Sequence, residues 1–462
     1  MADKISAIPL AKGQSYTIEI TGLGHSGEGV GRYQGFTVFV PHALPGESVT
    51  AVIATVKKTY ATGRLVTVHT PSPHRVPPAC TIYNQCGGCQ LQHVSYEEQL
   101  QRKRQQVVDA VTRIGKLTGV IVHPTLGADT PWHYRNKMQL PVGQQNGRLV
   151  VGCYAQGSHN IIDTDNCLIQ HQANNDIAGV VREVIGELGI EPYDEHTGRG
   201  IIRHVLGRVG TATGEVMVVL VTATDRLPHS KEIVERLRSR LTGLGSIVQN
   251  VNCQRTNVIM GQKTATLWGR ATITDKLGEF RFAISARSFF QVNTAQAEVL
   301  YEQAVRYAGL TGTETVIDAY CGTGTITLFL ARQAARVYGI EIVEPAILDA
   351  RRNAVNNQVN NVEFIVGDTV DVMPRLFTEG VRPDVIVVDP PRAGCEQQVL
   401  ETFARMEPSR IVYVSCNPAS LARDLAVLDG LGYETREIQP VDLFPMTFHV
   451  ECCIWLKRKH SP

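Results

Sequence analysis

Short runs of alternating apolar and polar residues open the chain: SYTIEITGLG, FTVFVPHAL, SVTAVIATVKK and YATGRLVTVHT, within residues 13–70. Period-two runs predict half-buried strands, and the Gly- and Pro-rich stretches between them (GHSGEGVGR, LPGE) predict turns. Strands at this spacing predict a small β-barrel, followed by a proline-rich linker, TPSPHRVPP. Residues 76–280 mix two periods. In SYEEQLQRKRQQVVDAVTRIG, apolar Leu100, Val107, Val108, Val111 and Ile114 recur at helical spacing; Ser95 is the expected N-cap, and Glu98 three residues on completes a capping-box spacing. RLVVGCYA, GEVMVVLVTAT and SIVQNVNC predict strands and KEIVERLRSRL a helix, which together make an α+β body. Residues 283–462 alternate strand and helix: TETVIDAYCG, ARVYGIEIV, NVEFIVGD, PDVIVVDPP and RIVYVSCNP are separated by helical TLFLARQAA, EPAILDARRNAVNN and PASLARDLAVLDGLG. That alternation predicts a doubly wound parallel sheet with its ligand at the C-terminal ends of the strands.

Composition narrows the class. With 43% hydrophobic and 19% charged residues among 462, the chain is globular and long enough for two to four domains. No apolar run approaches the roughly 18 residues of a membrane helix. The first residues, MADKISAIPLAKG, carry no secretory pattern, so a soluble cytoplasmic protein is expected. Eleven cysteines in that setting point to reduced thiols, metal ligands or catalysis rather than disulfides. The net charge of +1 hides an asymmetry: residues 1–120 hold twelve Lys/Arg against seven Asp/Glu, and the remainder 33 against 37. Lys57, Lys58, Arg64, Arg75 and Arg102-Lys103-Arg104 carry the excess, which suits a polyanionic partner.

The C-terminal half carries the candidate chemistry. In TVIDAYCGTGTITLFLA, Gly322 and Gly324 let the backbone approach a ligand between strand and helix. The next strand ends in Glu341, 23 residues after Asp318, where a carboxylate accepts hydrogen bonds from ribose hydroxyls. The third ends at Asp368, within reach of an adenine, and the fourth at Asp389, stiffened by Pro390-Pro391. The turn lacks a dinucleotide fingerprint and a phosphate-binding lysine, which favours S-adenosylmethionine. Cys416 stands at the tip of the fifth strand. Cys153, Cys253, Cys452 and Cys453 are expected as core filler, while Cys321 and Cys395 flank the cleft.

FFQVN, DAYCGTG, DPPRAG, SCNPASLARD and FPMTFHVE, in that order, resemble the signature set of the RNA uracil-5-methyltransferase family. The resemblance implies a Rossmann-like class I methyltransferase domain, S-adenosylmethionine as donor, Cys416 as nucleophile and Glu451 as proton acceptor. It implies cofactor contacts at Gln291, Tyr320, Thr325, Glu341, Asp368 and Asp389, with Asp389 also hydrogen-bonding the base. The residue types suit the chemistry. Uracil C5 is a poor nucleophile until a thiolate adds to C6, and the methylated adduct then needs a carboxylate to remove the C5 proton. Glu451 lies 35 residues after Cys416 in an apolar setting, FHVECCIW, that raises a carboxyl's pKa.

Cys80, Cys86 and Cys89 form a C-x5-C-x2-C run in a Gly- and Pro-rich loop. Three thiols so close suit a metal, with Cys167 the best candidate for a fourth ligand and Cys153 the second. Iron–sulfur members of the family share this spacing and a distant Cys in a DxxxC-like context, here Asp163 and Cys167, so the resemblance implies a [4Fe-4S] cluster; structural zinc is the physical alternative. Residues 1–72 resemble a TRAM domain, an OB-like RNA-binding barrel. HYRNKMQLP, with Arg135 and Lys137, resembles the family's central domain and is expected to touch phosphate, with a structural salt bridge as the equal alternative. The expected organisation is therefore barrel (1–72), central α+β domain with the cluster loop (73–280) and methyltransferase domain (281–462). The expected partner is structured RNA, 23S rRNA favoured over tRNA, with no membrane and no obligate protein partner. The alternatives are an RNA cytosine-5-methyltransferase, which usually has a cysteine where Arg392 follows the proline pair, an amino-group methyltransferase, and a non-catalytic RNA-binding scaffold. Neither of the last two needs Cys416, Asp389 and Glu451 together.

Overall fold

A computed structural model describes residues 8–459. The first residues of the expected leaderless start and the outer limits of the first and last expected domains lie outside the described residues. The chain divides into two compact units: a front unit that runs to Lys103 and takes in Met446–Phe448, and a main unit, Arg104–Pro445 with His449 onward.

The front unit is built on a closed barrel of β1 (Ser15–Leu23), β2 (Gly29–Tyr33), β3 (Phe36–Val40), β4 (Ser48–Val56) and β5 (Tyr60–Thr70), in the order β1-β2-β3-β5-β4. Alternation buries Ile18, Val38, Val40, Val49 and Ile53 inside it. β2 corrects the sequence reading, which took GHSGEGVGR as a turn. Its glycines answer close backbone approach: a Cβ on Gly29 would lie 2.6 Å from the Ala43 carbonyl, and one on Gly31 2.3 Å from that of Glu19. Glu47, wholly buried, anchors the proline-rich linker by accepting from the backbone N–H of Ser72 (3.1 Å) and from Arg75 Nε (2.5 Å). Residues 446–448 complete this unit. The Met446 carbonyl accepts from the N–H groups of Gln90 and Leu91 at 3.0 Å each, and Phe448 packs on Leu44, Leu91 and Val94.

Helix α1 (Tyr96–Arg113) starts directly after Ser95 and carries the boundary between the units. Glu98 pairs with Arg102 at 2.5 Å. Val107 and Val111 are buried, but Ile114 falls beyond the helix end and is 49% exposed, so it leaves the expected apolar stripe.

In the main unit, β6 (Ile121–Val122) precedes a seven-stranded sheet of order β13-β12-β11-β10-β7-β8-β9. Its strands are β7 (Lys137–Gln145), β8 (Arg148–Tyr154), β9 (Ile161–Asp163), β10 (Ile202–Val209), β11 (Val216–Thr222), β12 (Leu244–Val251) and β13 (Lys263–Gly269). Helices α2 (Gln172–Glu187) and α3 (Ser230–Arg240) cover one face. A hairpin of β14 (Thr272–Leu277) and β15 (Phe280–Ser285) follows.

The remaining elements are α4 (Thr294–Ala308), β16 (Thr315–Ala319), α5 (Thr325–Ala331), β17 (Arg336–Glu341), α6 (Glu344–Asn356) and β18 (Val362–Val366). Then come α7 (Thr369–Thr378), β19 (Val385–Val388), α8 (Gln397–Met406), β20 (Arg410–Ser415), α9 (Pro418–Gly430), β21 (Tyr433–Val441) and β22 (Glu451–Arg458). The sheet order is β18-β17-β16-β19-β20-β22-β21-β6. β16 to β20 run parallel, and all four residues of β19 are buried, as expected for a strand covered on both faces. The expected all-parallel sheet is corrected at β22, which is antiparallel to both β20 and β21. One continuous core joins Leu206, Met217 and Val219 of the seven-stranded sheet to Phe282, α4 and Val412 of the larger one. Among the described residues no helix is long and apolar enough to cross a membrane.

Candidate active site

The reversal of β22 sets the site. Its first residue, Glu451, lands at the sheet edge where the parallel strands end. Ser415 pairs with Cys452 as the last pair of the β20–β22 register, and Cys416 and Glu451 are the residues that adjoin that pair. Three acidic groups meet here. Burial pushes the Cys416 thiol up to about 11, aided by the charges of Glu451 and Asp389 and opposed by Arg392. Burial, then the Asp389 charge, holds the Glu451 carboxyl well above the usual carboxylate range, again opposed by Arg392. Burial alone raises Asp389 to about 6. Only 5% of Glu451 is exposed, so its basicity is set by the protein and not by water.

The glycine turn lies on the same edge. Gly322 (φ 55°) and Gly324 (φ 80°) are both left-handed; a Cβ on Gly322 would project into open space, while one on Gly324 would meet the Phe364 ring at 2.9 Å. Both oxygens of Glu341 brace the turn's surroundings, accepting from the N–H of Gly322 (3.2 Å) and of Val343 (2.9 Å). Asp318 accepts from the Thr327 hydroxyl at 2.5 Å, but its Oδ1 is buried with no hydrogen-bond partner among the described residues. Burial raises this carboxyl to about 7. Tyr320 holds a left-handed φ of 65° and lies beside Asp368 and Thr369. A non-glycine residue strained in this way marks a functional turn. Asp368 also has a local task, capping α7 by accepting from the Val370 N–H at 3.1 Å. An orphaned acid, an open glycine turn and a carboxylate at the second strand's end fit a nucleoside cofactor.

Two members of this cluster were not singled out from sequence. Tyr301, fully buried on α4, accepts from Thr325 Oγ1 at 3.4 Å, is hydrogen-bonded to Gln291 and feels the charges of Asp389 and Glu451. It links Gln291 and Thr325 to the acids. Nothing in VLYEQAV distinguishes it from an ordinary core tyrosine. Arg392, noted only as the residue after the prolines, is the cation facing Cys416 and Glu451. Its arginine next to a strand-end Asp-Pro-Pro was the available signal.

The central sheet supports the site. Asn136 on the approach to β7 donates to the Gln291 carbonyl and to Thr294, both at 2.9 Å, which holds the FFQVN loop. Beside it, burial lowers the Lys137 amine to about 8, aided by Arg208 and Arg135. The cysteine loop belongs to the front unit, with Cys80, Cys86 and Cys89 half-buried; Cys167 belongs to the main unit, where its N–H donates to Asn175. Asp163 accepts from the Val151 N–H (3.1 Å) and pairs with Arg182 (3.2 Å). Among the described residues no three His, Cys, Asp or Glu side chains converge as the ligands of a metal ion. Cys452 and Cys453 are core residues as expected, whereas Cys253 is exposed and Cys153 only half-buried.

The tRNA (uracil-5-)-methyltransferase family model matches residues 95–459, and the TRAM domain model matches residues 9–66. An uncharacterized RNA methyltransferase of Halalkalibacterium halodurans is 54% identical over 98% of this chain and 99% of its own length. One from Bacillus cereus is 51% identical over 97% and 98%. Among solved structures, the Pyrococcus abyssi tRNA (uracil-54, C5)-methyltransferase in complex with S-adenosyl-L-homocysteine superposes with a TM-score of 0.77 at 30% identity, covering 96% of this chain and all of that one. With a TRAM barrel in front and this acid–thiol cluster at its sheet edge, the chain belongs to the tRNA (uracil-5-)-methyltransferase family of RNA-methylating enzymes.

Proposed function

We propose that this protein transfers a methyl group from S-adenosylmethionine to C5 of a uridine in structured RNA, through a covalent adduct between Cys416 and C6 of the base. The observation that carries this reading is the meeting of Cys416, Glu451 and Asp389 at one strand edge, with Arg392 as the cation that Cys416 and Glu451 share. Bound against the glycine turn, Glu341 and Asp318, the donor supplies an electrophilic methyl group. The protein's residues do the rest. Arg392 favours the thiolate that adds to C6, and Asp389 hydrogen-bonds the base. Glu451, a stronger base than a solvated carboxylate, accepts the C5 proton from the methylated adduct. Gln291, Tyr320, Thr325 and Asp368 complete the cofactor contacts in this reading.

The three-part division into residues 1–72, 73–280 and 281–462 assigns RNA docking to the barrel and central body and chemistry to the last part. Lys57, Lys58 and Arg64 are exposed on the barrel, and Lys137 feels the charges of Arg208 and Arg135. Neutralising Lys57, Lys58 and Arg64 together is expected to weaken RNA binding. The salt slope should fall by about 0.7–0.9 per lost phosphate contact, with S-adenosylmethionine binding unchanged. Titrations at two salt concentrations check it, and an unaltered slope would make the barrel a structural cap.

The favoured target is 23S rRNA, on the pairing of barrel and cysteine loop; tRNA is the second reading, favoured by the solved relative's own substrate. Mass spectrometry of both RNAs from a deletion strain decides, since 5-methyluridine disappears from one of them. The [4Fe-4S] reading of Cys80, Cys86, Cys89 and Cys167 rests on the likeness of their spacing to that of the family's iron–sulfur members. Anaerobically purified protein is expected to be brown with several irons per chain, and each Cys→Ser change to bleach it. Colourless protein with one zinc, or with no metal, overturns the cluster.

A further inference from the structure

Two loops carry the reacting groups: residues 389–395 after β19, with Asp389 and Arg392, and residues 416–417 after β20, with the thiol. Helix α9 laces them together. Asn417 caps α9 by accepting from the Ala419 N–H (3.1 Å), and its amide donates to the Arg392 carbonyl at 3.0 Å. Ser420 Oγ donates to the same carbonyl at 3.0 Å. One turn further on, Arg423 donates to the Ala393 carbonyl at 2.8 Å.

Asp424 is the hub of this lacing. Its carboxylate is fully buried and takes four donors: the Cys395 N–H (2.8 Å), the Tyr413 hydroxyl (2.6 Å), and Arg423 through Nε (2.8 Å) and a terminal nitrogen (2.7 Å). The loop can lie this close only because residue 394 is glycine. Its φ is 82°, and a Cβ there would stand 2.4 Å from Asp424 Oδ2 and 2.5 Å from the Arg423 guanidinium. A hydrogen bond from the Gly394 N–H to the Pro391 carbonyl (2.8 Å) closes a tight turn with Arg392 inside it.

We propose that the Arg423–Asp424 pair is a positioning device: it fixes the 389–395 loop to the nucleophile's own helix, so that the Arg392 guanidinium stays beside Cys416. The pair touches neither base nor donor. It acts through Arg392, whose backbone is held from α9 while its side chain is exposed. This rests on the assignment of Cys416 as nucleophile. A stable core would be served by any well-packed neutral pair. A buried carboxylate loaded by four donors instead makes the geometry all-or-none, since losing the charge leaves buried donors unsatisfied.

The test uses the full-length protein and reads the pH dependence of Cys416 alkylation by iodoacetamide, quantified on the Cys416 peptide by mass spectrometry, beside kcat and KM for RNA methylation. Asp424→Asn keeps the shape and removes the charge. Its alkylation profile is expected to move to higher pH as Arg392 drifts away, and kcat to fall about tenfold to a hundredfold, the scale of a 1 Å misplacement. The KM for S-adenosylmethionine should stay within about twofold. Gly394→Ala, whose Cβ would press on both members of the pair and part them from the loop while keeping their charges, should give the same profile shift and carries the test if Asp424→Asn does not fold. Tyr413→Phe removes only the donor from β20 and should leave the profile in place. A folded Asp424→Asn or Gly394→Ala protein with the wild-type alkylation profile overturns the proposal, whatever its kcat. The alkylation readout needs no methyl transfer, so an active Cys416→Ala enzyme, which would overturn the nucleophile, is a separate result.

Discussion

Cys416→Ala is expected to abolish methyl transfer, by at least ~10⁴-fold in kcat, while S-adenosylmethionine affinity stays within about twofold. In the proposed reaction the thiolate attacks the base, while the donor lies elsewhere, against the glycine turn whose Gly322 N–H donates to Glu341. RNA carrying 5-fluorouridine is expected to trap the wild-type protein as a denaturation-resistant complex, because fluorine cannot leave as a proton, and to trap none of the alanine variant. Single-turnover assays and denaturing gels read both outcomes. Substantial activity in Cys416→Ala would end the covalent mechanism. In the free protein the thiol, held at about 11, is almost wholly protonated at neutral pH. Its alkylation should therefore rise about tenfold per pH unit from 7 to 10 without a plateau. An exposed, unperturbed cysteine would level off near 9.

Glu451→Gln should separate the two halves of the reaction. Glutamine keeps the shape and cannot accept the C5 proton, so the variant is expected to form the adduct, transfer the methyl group once and stall. Natural RNA then accumulates as a covalent, methylated protein–RNA species, and turnover falls by at least ~10³-fold, within the range for a lost general base. The sign of a second effect is fixed as well. Glu451's charge raises the Cys416 thiol, so removing it should shift thiol alkylation to lower pH. Normal turnover with no trapped species would move the base to another residue, and Asp389 would be the first candidate.

The strands of the barrel and of the parallel sheet were legible because each satisfies one rule, period two in β1, β4 and β5 and near-continuous valine in β19. β2 was hidden because its glycines, demanded by the Ala43 and Glu19 backbones, are also the commonest mark of a turn. Cys416 and Glu451 were legible as residue types in quoted motifs. What brings them together is the antiparallel entry of β22 between β20 and β21, and strand order between distant segments leaves no local pattern. Tyr301 shows the same limit from the other side. Its role comes from Gln291, Thr325 and the two carboxylates around it, none of them on its own helix. The spacing of Cys80, Cys86 and Cys89 reads as a metal site because it lies within one loop, whereas a fourth ligand from a distant segment leaves no local pattern.

The three residues 446–448 also impose an order on synthesis. Gln99 and Met446, joined side chain to backbone at 3.1 Å, are 347 residues apart in the chain. At about 5–20 residues per second, the front unit waits on the order of 20–70 s after Gln99 is made before Met446 exists. Throughout that interval Leu44, Leu91 and Val94 have no Phe448 to cover them. The front unit is thus made before the main unit but finished only after residues 446–448 exist, with an apolar patch left open in the meantime.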